Sequence, residues 1–297
     1  MAVTAEAGPS TDEPKADRRL ALRLLVASAL GIAGAILCYF LMLRTSVGKR
    51  FDYSAYIGSL PVNPAVLWGN AMRSLTPYVF AVVIVVVVVI GFVRHRPLLG
   101  IGGALGAGIA VLATDVLKND VLNRPFLTRQ GARAAHTFPS GHTAAAMACT
   151  MALVLVVPAR WRSTVAILAG VYGVLTAVQQ LTTSVHYPSD VIGATLLAFA
   201  AAACVAGLLA WFRPVRWARN RYYAPTLAVL GVTSAVAAAL SVWGVVRVLS
   251  GLGSRAIPAP AAAINYDAFL TGVALTMAVG IAVVISFLAL LGGAELG

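Results

Sequence analysis

Long apolar runs, separated by short polar and basic gaps, repeat along most of the chain. A helix needs about 20 consecutive apolar residues to cross a bilayer, with a range of about 17–25. Eight runs fit this range: residues 20–43, 75–93, 97–117, 141–157, 164–183, 190–212, 225–248 and 268–291. The pattern therefore predicts an all-α fold, a polytopic transmembrane helix bundle with eight spans.

Two stretches before the second span lack this pattern. Residues 1–19 are polar and contain Pro9 and Pro14, which is typical of a disordered tail. The apolar run that follows them is too long for a cleavable signal peptide, so we interpret it as the first span. Residues 44–73 mix aromatic, charged and proline residues, and they predict a segment at the membrane interface with a short amphipathic helix.

The composition agrees with a membrane protein. The chain is 60% hydrophobic and only 11% charged, whereas a soluble domain carries about 25% charged residues. The net charge of +12 does not favour nucleic acid as a partner, because the arginines flank apolar runs instead of clustering on one soluble face. Three cysteines (Cys38, Cys149 and Cys204) lie within apolar runs, and their spacing indicates neither a metal site nor a disulfide.

The distribution of lysine and arginine predicts the orientation. With the N-terminus inside, twelve of the 22 basic residues fall in cytoplasmic segments and ten fall outside. Four of the outer ones lie beside the polar motifs described below and are assigned to chemistry: Lys118, Arg124, Arg129 and Arg133. The remaining bias of two to one predicts a multi-pass plasma-membrane protein with both termini in the cytoplasm. The polar gaps after the third and fifth spans then face the extracytoplasmic side.

The first of these gaps ends in the sequence T-F-P-S-G-H-T, residues 137–143. Ser140 and Gly141 stand immediately before an apolar run, at a predicted helix start, where exposed backbone N–H groups attract anions. His142 follows directly, and a histidine can move protons near neutral pH. This arrangement predicts an anion site with an acid–base group beside it.

The second gap reads S-V-H-Y-P-S-D, residues 184–190. His186 and Asp190 are four residues apart, so on a helix they share one face. Pro188 lies between them, and proline is tolerated in a first helical turn. An aspartate on one imidazole nitrogen makes the other more nucleophilic, so His186 can attack phosphorus and form a phosphohistidine. No clustered set of carboxylates is present, so we predict neither a metal nor another cofactor.

Cations in the first gap complete the predicted phosphate site. Lys118, Arg124, Arg129 and Arg133 crowd one outer loop of a chain that otherwise keeps its charge inside. Transferring a phosphoryl group requires donors from several directions to stabilise the transition state. The alternative interpretation is that these side chains reach lipid headgroups from the interface. We favour the phosphate site for the cluster as a whole.

These motifs resemble those of the type 2 phosphatidic acid phosphatase superfamily, the lipid phosphate phosphatases, in its membrane-bound bacterial type. The residues that carry the resemblance are Lys118 with Arg124 and Pro125, then Pro139, Ser140, Gly141 and His142, then His186 with Asp190. The resemblance implies His186 as the nucleophile, Asp190 as its orienting partner and His142 as the general acid. It also implies that the phosphate is held by Lys118, Arg124, Ser140 and Gly141, and that six helices, about residues 20–212, form the core.

The chain departs from the family pattern in two places. Five residues instead of six separate Lys118 from Arg124. Gln179 and Gln180 stand where the family carries Ser-Arg, so one expected cation is absent. Arg129 or Arg133 can supply that charge from the neighbouring loop.

The expected function is hydrolysis of a lipid phosphate: a polyprenyl diphosphate, phosphatidylglycerol phosphate or phosphatidic acid. The alternatives are a lipid phosphotransferase, a catalytically degenerate lipid-binding or scaffold protein, and a transporter. The transporter ranks lowest because the middle of every span lacks charge. Partners are the phosphorylated lipid and the bilayer. The expected organisation is a tail (residues 1–19), a six-helix core (20–212) and a two-helix extension (213–297).

Overall fold

A computed structural model describes residues 15–61, 66–122, 137–252 and 262–296. The described elements are α1 (Arg18–Cys38), continued by a π-helical stretch (Tyr39–Arg44), then α2 (Ser46–Ser59), α3 (Val66–Val93), α4 (Pro97–Val116), continued by a second π-helical stretch (Leu117–Val121), α5 (Gly141–Val156), α6 (Ala159–Thr182), α7 (Pro188–Phe212), β1 (Val215–Trp217), α8 (Tyr223–Leu252), α9 (Ala262–Leu291) and β2 (Ala294–Leu296). The all-α polytopic bundle predicted from the sequence is confirmed, since each predicted span corresponds to one of these helices.

The helices differ in how well they match a bilayer. In the described part of the chain, seven helices are long and apolar enough to cross a bilayer. The fourth predicted span, α5, has only 16 residues, which corresponds to about 24 Å at 1.5 Å per residue. It is therefore shorter than the hydrocarbon core of about 30 Å.

Helix starts follow local sequence signals. Asp17 accepts a hydrogen bond from the Leu20 N–H and caps α1, so this helix begins at Arg18, within the predicted tail. Most of that tail, residues 1–14, lies outside the described residues. Prolines open α4 and α7, where a missing N–H costs no hydrogen bond. The predicted interfacial helix forms as α2, and Thr45 caps it.

Helix α5 lies at the centre of the bundle. Thirteen of its 16 residues are buried, and most of them are alanine or other small side chains. Small residues allow neighbouring helix backbones to approach closely. At the contact with α6, for example, a Cβ on Gly173 would lie 2.8 Å from both Met147 and Thr150. The helix that carries the P-S-G-H motif is therefore held by protein on nearly all sides.

Helix α9, from the predicted extension, shares the main hydrophobic core with the other helices. Phe287, Leu288 and Leu291 are fully buried in that core. The chain end then pairs β2 with β1 as an antiparallel two-stranded sheet, with Val215 opposite Leu296. The extension thus packs against the predicted core over the length of α9.

The bundle has two chemically distinct ends. We call the end with the starts of α5 and α7 the site end, and the opposite one the arginine end. The arginine end holds the starts of α1, α4, α6 and α8, together with both strands. There the Glu295 carboxylate lies 3.0 Å from Arg94 and 3.3 Å from Arg96, and it accepts the Ala159 N–H. Buried Arg162 donates to the carbonyls of Val154 and Gly292.

Candidate active site

The first half of the site is the start of α5. Ser140 is the N-cap: its hydroxyl oxygen accepts hydrogen bonds from the N–H (3.5 Å) and the hydroxyl (3.1 Å) of Thr143. Gly141 is the first helical residue, and no heavy atom of the described residues lies within 4 Å of a Cβ built on it. Among the described residues, none therefore covers this side of the start of α5, where the positive end of the helix dipole lies.

Aromatic packing holds the loop before α5. Phe138 is buried against Tyr39, with ring centroids 5.5 Å apart, and against Gly193 of α7. A Cβ on Gly193 would come within 2.6 Å of the Phe138 ring, so a larger residue there would force the ring or its loop to shift. This contact sets the position of the P-S-G-H loop relative to the start of α7.

The second half of the site is the pair formed by His186 and Asp190. The His186 Nδ1 lies 3.2 Å from the Asp190 Oδ2, and the side chains are 6% and 0% exposed. The same carboxylate oxygen accepts the Tyr187 N–H at 3.0 Å. Because a carboxylate can only accept, Nδ1 carries the proton and the lone pair of the neutral imidazole is on Nε2.

The backbone joins the two halves. The Ser140 N–H donates to the Asp190 carbonyl over 3.0 Å. One aspartate thus orients His186 through its side chain and contacts the P-S-G-H loop through its backbone. The structure brings Ser140, Asp190 and His186 together, with Gly141 and His142 next in the chain.

The predicted cations are described only in part. Lys118 is half-buried in the π-helical stretch after α4. Leu122, just beyond it, packs against the cluster of Tyr39, Leu43 and Phe138, so this stretch ends beside the P-S-G-H loop. Arg124, Arg129 and Arg133 lie outside the described residues.

Gln180, near the end of α6, contacts the backbone of His186. It is fully buried, and its carbonyl accepts the N–H groups of Val185 and His186. Its amide nitrogen donates to the Gln179 side chain at 3.0 Å, while its side-chain oxygen has no hydrogen-bond partner among the described residues. A neutral amide therefore stands where the resemblance predicted an arginine.

Sequence reasoning missed one buried acid next to the site. Asp52 of α2 is 0% exposed, and its two carboxylate oxygens accept the N–H and the hydroxyl of Ser189. The signal that could have revealed it is the spacing of Asp52, Tyr56 and Ser59, which places three polar groups on one helix face. Within the described part of the chain, no group of three or more His, Cys, Asp or Glu side chains could hold a metal ion.

Comparison with known proteins gives one match. Residues 78–216 match the family model of the PAP2 superfamily, a range that contains all described residues of both motif gaps. No curated protein and no solved structure matches the chain. The recognition made from the motifs is therefore confirmed at the level of the superfamily, while the bacterial type stays a prediction. Over residues 78–216, the chain is therefore similar to the PAP2 superfamily of type 2 phosphatidic acid phosphatases.

Proposed function

We propose that this protein is a lipid-phosphate phosphatase of the membrane. It hydrolyses a phosphomonoester or diphosphate of a lipid at the extracytoplasmic face, through a phosphohistidine. The observation that carries this proposal is the buried pair of His186 and Asp190, hydrogen-bonded by its backbone to Ser140 at the open start of α5. The membrane-spanning helices and the superfamily match support a lipid substrate.

In the first step, the Nε2 lone pair of His186 attacks phosphorus, and the bond from phosphorus to the leaving oxygen breaks. The leaving oxygen is the ester oxygen of a phosphomonoester or the bridging oxygen of a diphosphate. His142 donates its proton to the leaving oxygen. Asp190 stabilises the imidazolium character that develops on His186. In the second step, His142 takes a proton from water, the water oxygen attacks phosphorus, and inorganic phosphate leaves with His186 restored.

The phosphate oxygens require donors throughout both steps. The N–H groups at the start of α5, beside Ser140 and Gly141, supply fixed dipoles, and Lys118 and Arg124 supply charge. The space in front of Gly141 supports this assignment, because a phosphate oxygen must approach that backbone closely. We assign the phosphatase core to residues 20–212 and the two-helix extension to residues 213–297.

The orientation is part of the proposal. Most of the basic residues that flank the spans lie at the arginine end, which the positive-inside rule assigns to the cytoplasm. Both termini are then cytoplasmic and the site end faces outward. Substrate enters sideways from the outer leaflet, and candidates are a polyprenyl diphosphate, phosphatidylglycerol phosphate or phosphatidic acid.

The test compares wild-type protein with His186→Ala in detergent micelles that contain one of these lipids and a chelator. Wild type should release phosphate without divalent metal, and His186→Ala should release none above background. Equal release from both, or inhibition of wild type by the chelator, would contradict the phosphohistidine mechanism. Phosphate passed to an added alcohol instead of water would identify a phosphotransferase, and no release from any substrate would favour a lipid-binding protein.

A further inference from the structure

Helix α2 touches the loop that carries His186, together with the first turn of α7, at three points. The Asp52 carboxylate accepts two hydrogen bonds from Ser189, one from its N–H over 3.2 Å and one from its hydroxyl. Tyr56 stacks on Tyr187 with ring centroids 5.0 Å apart. Ser59 lies 2.8 Å from Ser184, hydroxyl to hydroxyl. As α2 advances, its contacts move back along the loop, so the two segments run antiparallel.

The three α2 residues form one stripe. Their spacing is i, i+4 and i+7, which places them within about 60° of each other around a helix that turns 100° per residue. The stripe therefore spans nearly two turns and reaches from one end of the loop to the other. We call Asp52, Tyr56 and Ser59 the α2 stripe.

Asp52 accepts a hydrogen bond from a backbone N–H at the start of α7 that has no acceptor within the helix. The first N–H groups of a helix have no partner within it. In α7, Pro188 has no N–H, and Asp190 already accepts the Tyr187 N–H. Asp52 accepts the next one, from Ser189, and its negative charge faces the positive end of the α7 dipole. The residue beside Asp190 is thus fixed from another helix.

Ser59 supports the opposite end of the loop. Ser184 has φ = 53°, a left-handed conformation that costs a residue with a side chain about 1 kcal/mol or more. The Ser59 hydroxyl donates to the Tyr56 carbonyl at 2.7 Å, so the hydrogen between the two serines comes from Ser184. This bond stabilises the strained turn two residues before His186.

Helix α9 holds α2 against the loop. A Cβ on Gly272 would come within 2.7 Å of Pro188 and 3.7 Å of Ala55. A Cβ on Gly58 would come within 1.9 Å of the Asn265 carbonyl oxygen. The backbones of α2 and α9 therefore touch, and α9 also contacts the first residue of α7. All of α2 and α9 lies outside residues 78–216, the range matched by the superfamily.

We propose that the α2 stripe, supported by α9, is a positioning device that fixes the His186 ring against Asp190. Its residues act through the loop and not on the phosphate. The catalytic part of this inference rests on the proposed phosphatase function; the positional part does not. It assigns a task to α9, which lies beyond the six-helix core.

The experiment has one readout that needs no activity. The chain has four histidines (His95, His136, His142 and His186), so a protein labelled with ¹⁵N in histidine yields few ring signals. The His186 signals are those lost in His186→Asn. In wild type they should show the tautomer with the proton on Nδ1, held by Asp190. In Asp52→Ala they should shift towards the average of both tautomers, and Asp52→Asn should restore most of the wild-type spectrum.

The activity readout separates positioning from binding. Asp52→Ala should lower kcat about 10–100-fold, as misplacement of a reacting group does, and change KM less than about twofold. Ser59→Ala should lower kcat less, about 3–10-fold, because one of three contacts is lost. Its matched control is Ser54→Ala, since Ser54 is also 1% exposed but lies on the opposite side of α2. The control should keep wild-type kcat.

The outcomes are distinguishable. If wild type is active and both Asp52→Ala and Ser59→Ala keep kcat within twofold, the positioning device is refuted. If wild type is inactive, the proposed function fails, and the histidine spectrum decides alone: an unchanged His186 signal in Asp52→Ala refutes the device and a changed one supports it. If Asp52→Ala does not fold, the comparison of Ser59→Ala with Ser54→Ala decides, and equal kcat and equal spectra refute the device.

Discussion

The two ends of the bundle handle buried charge in opposite ways. At the site end, two buried carboxylates, Asp52 and Asp190, accept hydrogen bonds from backbone N–H groups near the start of α7. At the arginine end, buried or half-buried guanidinium groups donate to carbonyls and to Glu295. At one end, carboxylates thus lie near the positive end of the α7 dipole. At the other, guanidinium groups donate hydrogen bonds to residues 292–296. In the function proposed above, the first arrangement serves chemistry, whereas the second joins distant parts of the chain.

The largest expected effect comes from Asp190→Asn at the site end. An amide in place of the carboxylate no longer fixes the His186 tautomer or stabilises the imidazolium. We expect phosphate release to fall by about 10³–10⁴-fold while the protein stays folded. Initial rates and circular dichroism check this together. Activity within tenfold of wild type would show that Asp190 only caps α7.

The matching change at the arginine end is Glu295→Ala. It removes a carboxylate that is 17% exposed and that contacts Arg94, Arg96 and the Ala159 N–H. We expect the free energy of unfolding to fall by about 2–3 kcal/mol, because three donors lose their acceptor. The thermal midpoint in detergent measures the loss.

The control for that change is Glu295→Gln, which keeps the acceptor for the Ala159 N–H and should lose less stability. Both variants should keep kcat at the site end unchanged below their melting range. A large fall in kcat with an unchanged melting midpoint would mean that the two ends are not separable in function.

A smaller effect is expected from Gly193→Ala, which tests the contact between the P-S-G-H loop and α7. The added Cβ meets the Phe138 ring at 2.6 Å, so the P-S-G-H loop must shift. Restoring a carbon–carbon separation of about 3.5 Å requires a shift of about 0.9 Å, which the ring and the loop share. We expect activity to fall about tenfold, since the loop then moves the phosphate donors away from His186. The control is Gly108→Ala, because no described side chain or neighbouring helix lies within 4 Å of its Cβ. It should leave activity unchanged.

The smallest effect is expected from Asp267→Asn. Its ion pair with Arg247 spans 3.0 Å at the site end, but the two side chains are 35% and 53% exposed. Exposed pairs of this kind are screened by water and contribute little. Both the melting midpoint and kcat should match wild type. A clear loss of activity would place this pair in the path of the substrate.

The helices and the contact between His186 and Asp190 could be predicted from the sequence because both depend on local signals. Apolar runs specify the spans. The i, i+4 spacing predicted that His186 and Asp190 share one helix face, and this was wrong, because His186 lies in the loop before α7 and Tyr187 is the N-cap. The two side chains still meet, because Asp190 lies in the first turn of α7 and its carboxylate turns back to the loop. Other contacts depend on long-range packing. Nothing near Asp52 or Glu295 indicates its partner, since Ser189 lies 137 residues from Asp52 and Arg94 lies 201 residues from Glu295. The number of residues in α5 was predicted closely, but its central place in the bundle was not.

The distance in sequence between Arg94 and Glu295 also orders events during synthesis. All of the described helices precede β2 in the chain, so we expect Arg94, Arg96 and Arg162 to bind lipid phosphates or water until β2 has been synthesised. The exchange of those temporary partners for Glu295 and the Gly292 carbonyl is then a late step of biogenesis. In the orientation proposed above, the same arginines thus act twice, first as positive-inside signals that retain their loops in the cytoplasm and later as hydrogen-bond donors to β2 and the residues beside it.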